Sequence, residues 1–197
     1  MKELISSGLE ALGLTGSVPP DAAEKLAEYG RLLLEKNQVM NLTAIRDEAG
    51  VARLHMLDCA ALLPCADLTG ARTLLDVGTG AGFPGLPLKI LLPQLDVTLL
   101  DSLNKRVDWL NEVSAQLGLT GVRAIQGRAE EKALEKSMRD SFDLVTARAV
   151  ADLRLLAELC LPFVKVGGRF LSSLRSRSFS VIKDFWGFKM RIHCVRN

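Results

Sequence analysis

The chain has 197 residues, 48% hydrophobic and 24% charged, enough for one compact core with a small annex. Its net charge of +2 excludes a histone-like polycation. The start, Met1-Lys2-Glu3-Leu4-Ile5, lacks the apolar core of a signal peptide. No apolar run reaches the roughly 18 residues of a membrane span. Cys59, Cys65, Cys160 and Cys194 have neither zinc-finger spacing nor the density of a disulfide frame, so they read as buried or incidental thiols. The expectation is a cytoplasmic protein with no metal and no membrane partner.

Residues 1–70 read as a helical N-terminal extension. Asp21 stands where it would cap a helix, with Glu24 three residues on in a capping-box arrangement. Leu26, Tyr29 and Leu33 recur at helical spacing, and the helix is expected to stop near Asn37–Asn41. A second helix is expected from about Glu48 to Leu63, then a linker over Asp67–Gly70. From Ala71 the pattern alternates. Strands are expected at Thr73–Val77, Val97–Asp101, Val122–Gln126, Phe142–Ala147 and Arg169–Leu171, with helices at Gly85–Leu92, Lys105–Leu117, Glu130–Met138 and Asp152–Phe163. Short apolar strands spaced by helices imply an α/β fold, a mostly parallel sheet covered on both faces. Residues 71–171 form this domain. The stretch 172–197 is a basic tail, in which Arg175, Arg177, Lys183, Lys189, Arg191 and Arg196 outweigh Asp184; it is net +5 and leaves −3 before it.

The chemistry starts at Asp76-Val77-Gly78-Thr79-Gly80-Ala81-Gly82-Phe83-Pro84-Gly85. An apolar strand ends in an acid and enters a loop with four glycines, which can bring backbone against a ligand at the carboxyl end of a sheet. The match to G-x-G-x-x-G is weak evidence for a dinucleotide. Asp76 would repel a pyrophosphate, and Phe83 and Pro84 stand where exposed amides would be needed. An acid here suits the ammonium group of S-adenosylmethionine. Gly78, Gly80, Gly82 and Phe83 are therefore candidate cofactor contacts with Asp76. Asp101, about 20 residues on at the end of the next strand, fits a carboxylate bonding ribose hydroxyls, or a cap on the following helix. Ala129 and Glu130 follow the third strand, where they could flank an adenine or begin a helix with its acidic turn. The fourth strand ends Ala147-Arg148-Ala149-Val150, without the acid-or-asparagine, double-proline and aromatic run of exocyclic amine methylation. The chain's one Pro-Cys pair, Pro64-Cys65, stands ahead of the glycine loop, and no Pro-Cys nucleophile stands at the end of the fourth strand. A guanine N7, whose lone pair needs no activation, remains as an acceptor, with Arg148 a ligand for cofactor or RNA; no catalytic acid or base stands out.

These residues resemble the bacterial small-subunit ribosomal RNA guanine-N7 methyltransferases, the glucose-inhibited division protein B family, over about residues 20–171. The resemblance rests on Asn37–Ile45, His55–Asp58, Leu75–Pro87, Leu99–Arg106, Gly127–Glu131 and Arg148-Ala149. It implies a Rossmann-like methyltransferase domain, S-adenosylmethionine as donor, and small-subunit ribosomal RNA or its particle as acceptor. It places cofactor contacts at Gly78, Phe83, Ala129, Glu130 and Arg148, with Asn41, His55 and Asp58 packed near the site. Family members continue past the fifth strand with a lysine-glycine step and further sheet, whereas here Ser172-Ser173-Leu174-Arg175 follows. A non-catalytic cofactor or RNA-binding module is the alternative that this tail motivates, and an NAD-dependent oxidoreductase is a third. A monomer is the expected state.

Overall fold

A computed structural model describes residues 1–64, 68, 70–148 and 153–173. The expectations for Cys65, Asp67, Thr69, Ala149, Val150, Asp152, Cys194 and the tail beyond Ser173 lie outside the described residues. The elements are α1 (Lys2–Ala11), α2 (Ala22–Lys36), α3 (Glu48–Val51), a π-helical stretch (Ala52–Leu57), α4 (Asp58–Ala60), β1 (Thr73–Val77), α5 (Gly85–Leu91), β2 (Asp96–Asp101), α6 (Asn104–Gln116), β3 (Val122–Gln126), α7 (Ala129–Lys132), β4 (Phe142–Arg148), α8 (Leu153–Cys160), a 3₁₀ turn (Leu161–Phe163) and β5 (Val164–Ser173).

All five strands are parallel in the order β3-β2-β1-β4-β5. The order reverses at β1, whose neighbours are β2 on one side and β4 on the other. That reversal opens a crevice at the carboxyl ends of β1 and β4. Adjacent residues of β1 and β2 enter opposite cores. Leu74, Val97 and Leu99 pack with Leu26, Tyr29, Leu33, Leu86 and Leu110 on one face. Leu75, Val77 and Leu100 pack with Val145, Leu156, Phe163 and Phe170 on the other. Burial on both faces is why these strands read as mostly apolar runs.

The N-terminal helices extend the first of these cores. Tyr29 of α2 is fully buried, and its hydroxyl donates to the Ala81 carbonyl in the glycine loop. Asp21 does precede α2, but its side chain makes no cap; it pairs with Lys25 at 2.9 Å, while Glu24 accepts from Lys2 at 2.9 Å. The expected capping box is not formed, because both acids have lysines within reach.

Two further boundaries differ from expectation. The helix expected over Glu130–Met138 ends at Lys132. Ala133 and Met138 are the buried residues of the segment that follows, and five positions do not keep one face of a helix, so Leu134 is left 80% exposed. The last strand is longer than Arg169–Leu171. Its pairing with β4 shifts register between Phe142 and Leu144, and Gly167 takes a φ of +81°. The irregularity and the Gly167-Gly168 pair break the period-two signal. At the amino end of the sheet, Asp143 accepts from the Arg72 and Thr73 amides, the Thr73 hydroxyl and Lys165. Burial alone would raise its pKa, but these donors outweigh it and hold the carboxyl at about 2.

Among the described residues no helix is long and apolar enough to cross a membrane, and no cluster of three metal-ligating side chains occurs. Cys59 and Cys160 are free, buried thiols in opposite cores, each pushed by burial up to about 12. They are protonated and unreactive at neutral pH. Tyr29→Phe should lower the unfolding free energy by about 1–2 kcal/mol in a urea titration, because the Ala81 carbonyl loses its buried donor.

Candidate active site at the carboxyl edge of the sheet

The glycine loop leaves β1 and closes on Asp76. This carboxylate is fully buried and accepts from the Thr79 hydroxyl at 2.6 Å, the Thr146 hydroxyl of β4 at 2.8 Å and the Gly85 amide at 3.0 Å. The bonds tie the end of β1 to β4, to the loop and to the first residue of α5. Burial pushes the carboxyl up to about 6, against the lowering effect of those three donors. The ammonium contact expected of Asp76 would share a carboxylate that already takes three protein donors and has no exposed surface; those donors make the residue a support of the loop.

The glycines divide into two kinds. Gly78 and Gly80 are partly exposed and adopt φ of +64° and +60°. A Cβ built on Gly80 would find only the Gly78 carbonyl, at 3.9 Å, so open space lies in front of this backbone. Gly82, at φ +98°, is buried, and a Cβ there would stand 2.6 Å from the Tyr29 hydroxyl, 2.8 Å from Leu86 and 3.0 Å from Leu110. Gly82 is thus a packing glycine, and its expected cofactor contact gives way to protein contacts on that side.

Asp101 ends β2 and is 3% exposed. It accepts from the Gly80 amide and the Leu103 amide, each at 2.9 Å, and from Arg106 at 3.4 Å. Asp101, expected to bond ribose or to cap the following helix, anchors the glycine loop from the second strand and fixes the turn ahead of α6. Ala129 and Glu130 sit at the start of α7 beyond β3; Ala129 is partly exposed, and Glu130 is exposed and 3.6 Å from Arg128. They line the same carboxyl edge, with β2 and β1 standing between β3 and the strand of Arg148.

The fourth strand brings Arg148 back over the loop. Its guanidinium carbon lies 4.7 Å from the centre of the Phe83 ring. His55, from the π-helical stretch, stacks on the same ring at 4.5 Å and 16°. Arg148 donates to the Leu54 carbonyl at 3.3 Å and meets Asp58 at 3.5 Å and His55 Nδ1 at 3.0 Å. Cation–π contact and ion pairing with Asp58 hold the arginine in place from two sides. Phe83 is 3% exposed and precedes a cis peptide bond to Pro84. Of the residues that the resemblance placed near the site, His55 and Asp58 reach Arg148, whereas Asn41 is exposed. Thr79, Thr146 and Tyr29 were not anticipated. A lone threonine in the apolar run Leu144–Ala147 was the available signal, since a buried hydroxyl needs a partner.

Two cavities, of about 630 and 320 Å³, lie away from this edge, one between α1, α2 and the end of α6 and the other at the amino ends of the strands. The charged groups on the first are largely paired with one another: Lys2 with Glu24, Lys25 with Asp21, Arg31 with Glu28. Convergent side chains, not volume, make the carboxyl edge the candidate site.

Gly82→Ala should destabilise the fold by roughly 2–4 kcal/mol, combining overpacking with a strained φ, whereas Gly80→Ala should cost about 1–2 kcal/mol from φ alone; thermal melts compare them. For Asp76, a folded-state pKa of about 6 lies above its unfolded value near 3.9. The native state binds the extra proton in that window, so this residue's contribution falls as pH rises from about 4 to about 6. Asp76→Asn should remove that slope from the stability profile.

Comparison with known proteins places this geometry in a family. The profile of the family described as rRNA small subunit methyltransferase G (GidB) matches residues 22–178. A ribosomal RNA small subunit methyltransferase G of Alkaliphilus metalliredigens is 48% identical over 170 residues, 86% of this chain and 70% of that protein. One of the same name from Exiguobacterium sibiricum is 50% identical over 149 residues, 76% of this chain and 63% of that protein. A Staphylococcus aureus structure named as a candidate caffeoyl-CoA O-methyltransferase shares the fold at 17% identity and a TM-score of 0.52, covering 71% of this chain and 63% of that one. With a parallel sheet reversing at β1 and a glycine loop open at its edge, the chain belongs to the rRNA small subunit methyltransferase G (GidB) family.

Proposed function

We propose that this protein transfers a methyl group from S-adenosylmethionine to N7 of a guanine in small-subunit ribosomal RNA. The observation that carries the reading is that one edge of the sheet carries both the partly exposed Gly78 and Gly80 of the loop after β1 and, at the end of β4, Arg148 held over Phe83 of that same loop. The open space before Gly80 fits a ligand that must approach main chain closely. Bound S-adenosylmethionine would supply an electrophilic methyl on a sulfonium. Gly78, Gly80, Ala129, Glu130, Phe83 and Arg148 are the residues proposed to hold it, with Asp76, Asp101 and Gly82 fixing the loop behind them. The proposed order along the edge follows the strands, with the methionine end over the loop after β1 and the adenine end toward β3.

The end of β4 offers no general base of the amine type, and the guanine N7 lone pair needs none. No proton leaves the ring nitrogen as the new bond forms. The protein's contribution is then alignment and a fixed electrostatic environment. Arg148 is positive and immobilised by Leu54, Asp58 and His55, so it suits the carboxylate of the cofactor or an RNA phosphate. We further propose that the protein acts in the cytoplasm as a monomer, on the small subunit or its RNA. Family membership supports the choice of the small subunit as acceptor.

With a tritiated methyl donor and small-subunit particles lacking the modification, label should appear on guanine N7, read by strand cleavage after borohydride and aniline. Arg148→Gln should lower kcat/KM by about 10²-fold, the effect of removing one placed charged donor. Label on a pyrimidine or on protein would overturn the reading, and S-adenosylhomocysteine binding without turnover on any RNA would make the protein a binding module.

A further inference from the structure

We infer that His55 is a positioning residue, held as the neutral Nε2–H tautomer, that sets the place of Arg148 and links it to the loop at residues 37–45. The inference rests on the proposed reading of Arg148 as a cofactor-holding group.

The hydrogen-bond chemistry fixes the tautomer. A guanidinium only donates, so His55 Nδ1, 3.0 Å from Arg148, must accept. The remaining ring proton then sits on Nε2, 2.8 Å from the Thr43 hydroxyl oxygen. That oxygen also accepts from the Ile45 amide at 3.1 Å. Thr43 is in turn clasped by Asn37, which is 3% exposed. The Asn37 amide donates to the Thr43 carbonyl at 2.9 Å, and its oxygen accepts from the Leu42 and Thr43 amides at 2.8 and 3.0 Å. An unbroken chain of bonds thus runs from the end of α2, through Thr43 and His55, to the end of β4.

Packing supports the same role. The imidazole is 6% exposed and stacks on Phe83, the ring that also receives Arg148. A second proton, on Nδ1, would point at the guanidinium and break the bond. The π-helical stretch puts His55 and the Leu54 carbonyl on the arginine together, so both move with one element. Since Gln38, Val39 and Asn41 of the loop are exposed, whatever presses on them is mechanically connected to Arg148 through Asn37, Thr43 and His55.

The test has two readouts. Long-range proton–nitrogen NMR on the full chain reports ring tautomers directly; the only other histidine is His193, and His193→Gln assigns the signals. The neutral Nε2–H form at pH 7.5 is expected for His55, and an Nδ1–H tautomer or an imidazolium would overturn the assignment. By calorimetry, His55→Leu should weaken S-adenosylhomocysteine binding about tenfold, as for a charged donor that loses one of its acceptors, and raise KM for the donor more than it lowers kcat. His55→Asn, whose Oδ1 stands near the place of Nδ1, should recover most of the affinity, and Thr43→Val should fall between. Unchanged affinity in His55→Leu, or no recovery in an equally folded His55→Asn, would overturn the positioning role. Wild-type protein that binds no S-adenosylhomocysteine would instead sink the cofactor reading, while the tautomer in the same sample still decides the hydrogen-bond assignment.

Discussion

A carboxylate with no exposure to water organises the site. Burying the charge of Asp76 is costly, and the cost is partly offset by three donors drawn from three different places: Thr79 in the loop, Gly85 at the start of α5 and Thr146 on β4. Because the donors must converge on one group, the loop cannot spread, the helix cannot shift along its axis, and β4 cannot slide against β1. Asp101 repeats the device from the other side by taking the Gly80 amide. Two acids at the ends of adjacent strands thus hold a glycine-rich backbone that has few side-chain contacts of its own. The exposed face of that backbone is left for a ligand.

The second constraint comes from outside the sheet. Tyr29 fastens α2 to the Ala81 carbonyl, and Asn37, Thr43 and His55 carry the connection to Arg148. The helical extension is therefore bonded to the glycine loop and to Arg148 and is not an appended layer. For methyl transfer to a ring nitrogen that already presents its lone pair, such rigidity is the useful property. Reaction then depends on holding two reactants in line, and each buried tether reduces the freedom that would spoil alignment.

Much of this was readable in the residues, and the limits are instructive. Strand positions were legible because parallel strands buried on both faces leave mostly apolar runs, as in Leu74–Val77 and Val97–Leu100, broken only by Asp76 and Thr98. The glycine loop was legible because positive φ requires glycine. The roles within the loop were not. Gly80 and Gly82 are the same residue in the same turn, yet one faces open space and the other faces Tyr29, Leu86 and Leu110, which are remote in sequence. Asp76 looked like a ligand for an ammonium group because nothing local revealed that Thr146, seventy positions away, would claim one of its oxygens. Asp21 and Glu24 had capping-box spacing but met lysines, and Lys2 comes from another helix.

The sequence by itself determined the class of fold, the place of the glycine loop and the chemistry available at the end of β4, because periodicity, backbone freedom and side-chain type are local properties. Only the tertiary structure decided which acids are buried supports, which glycines face open space, and that His55 stands between Thr43 and Arg148. Those distinctions depend on which distant elements pack together. A hydrogen bond or a filled cavity is a property of two partners, and no single stretch of chain contains both.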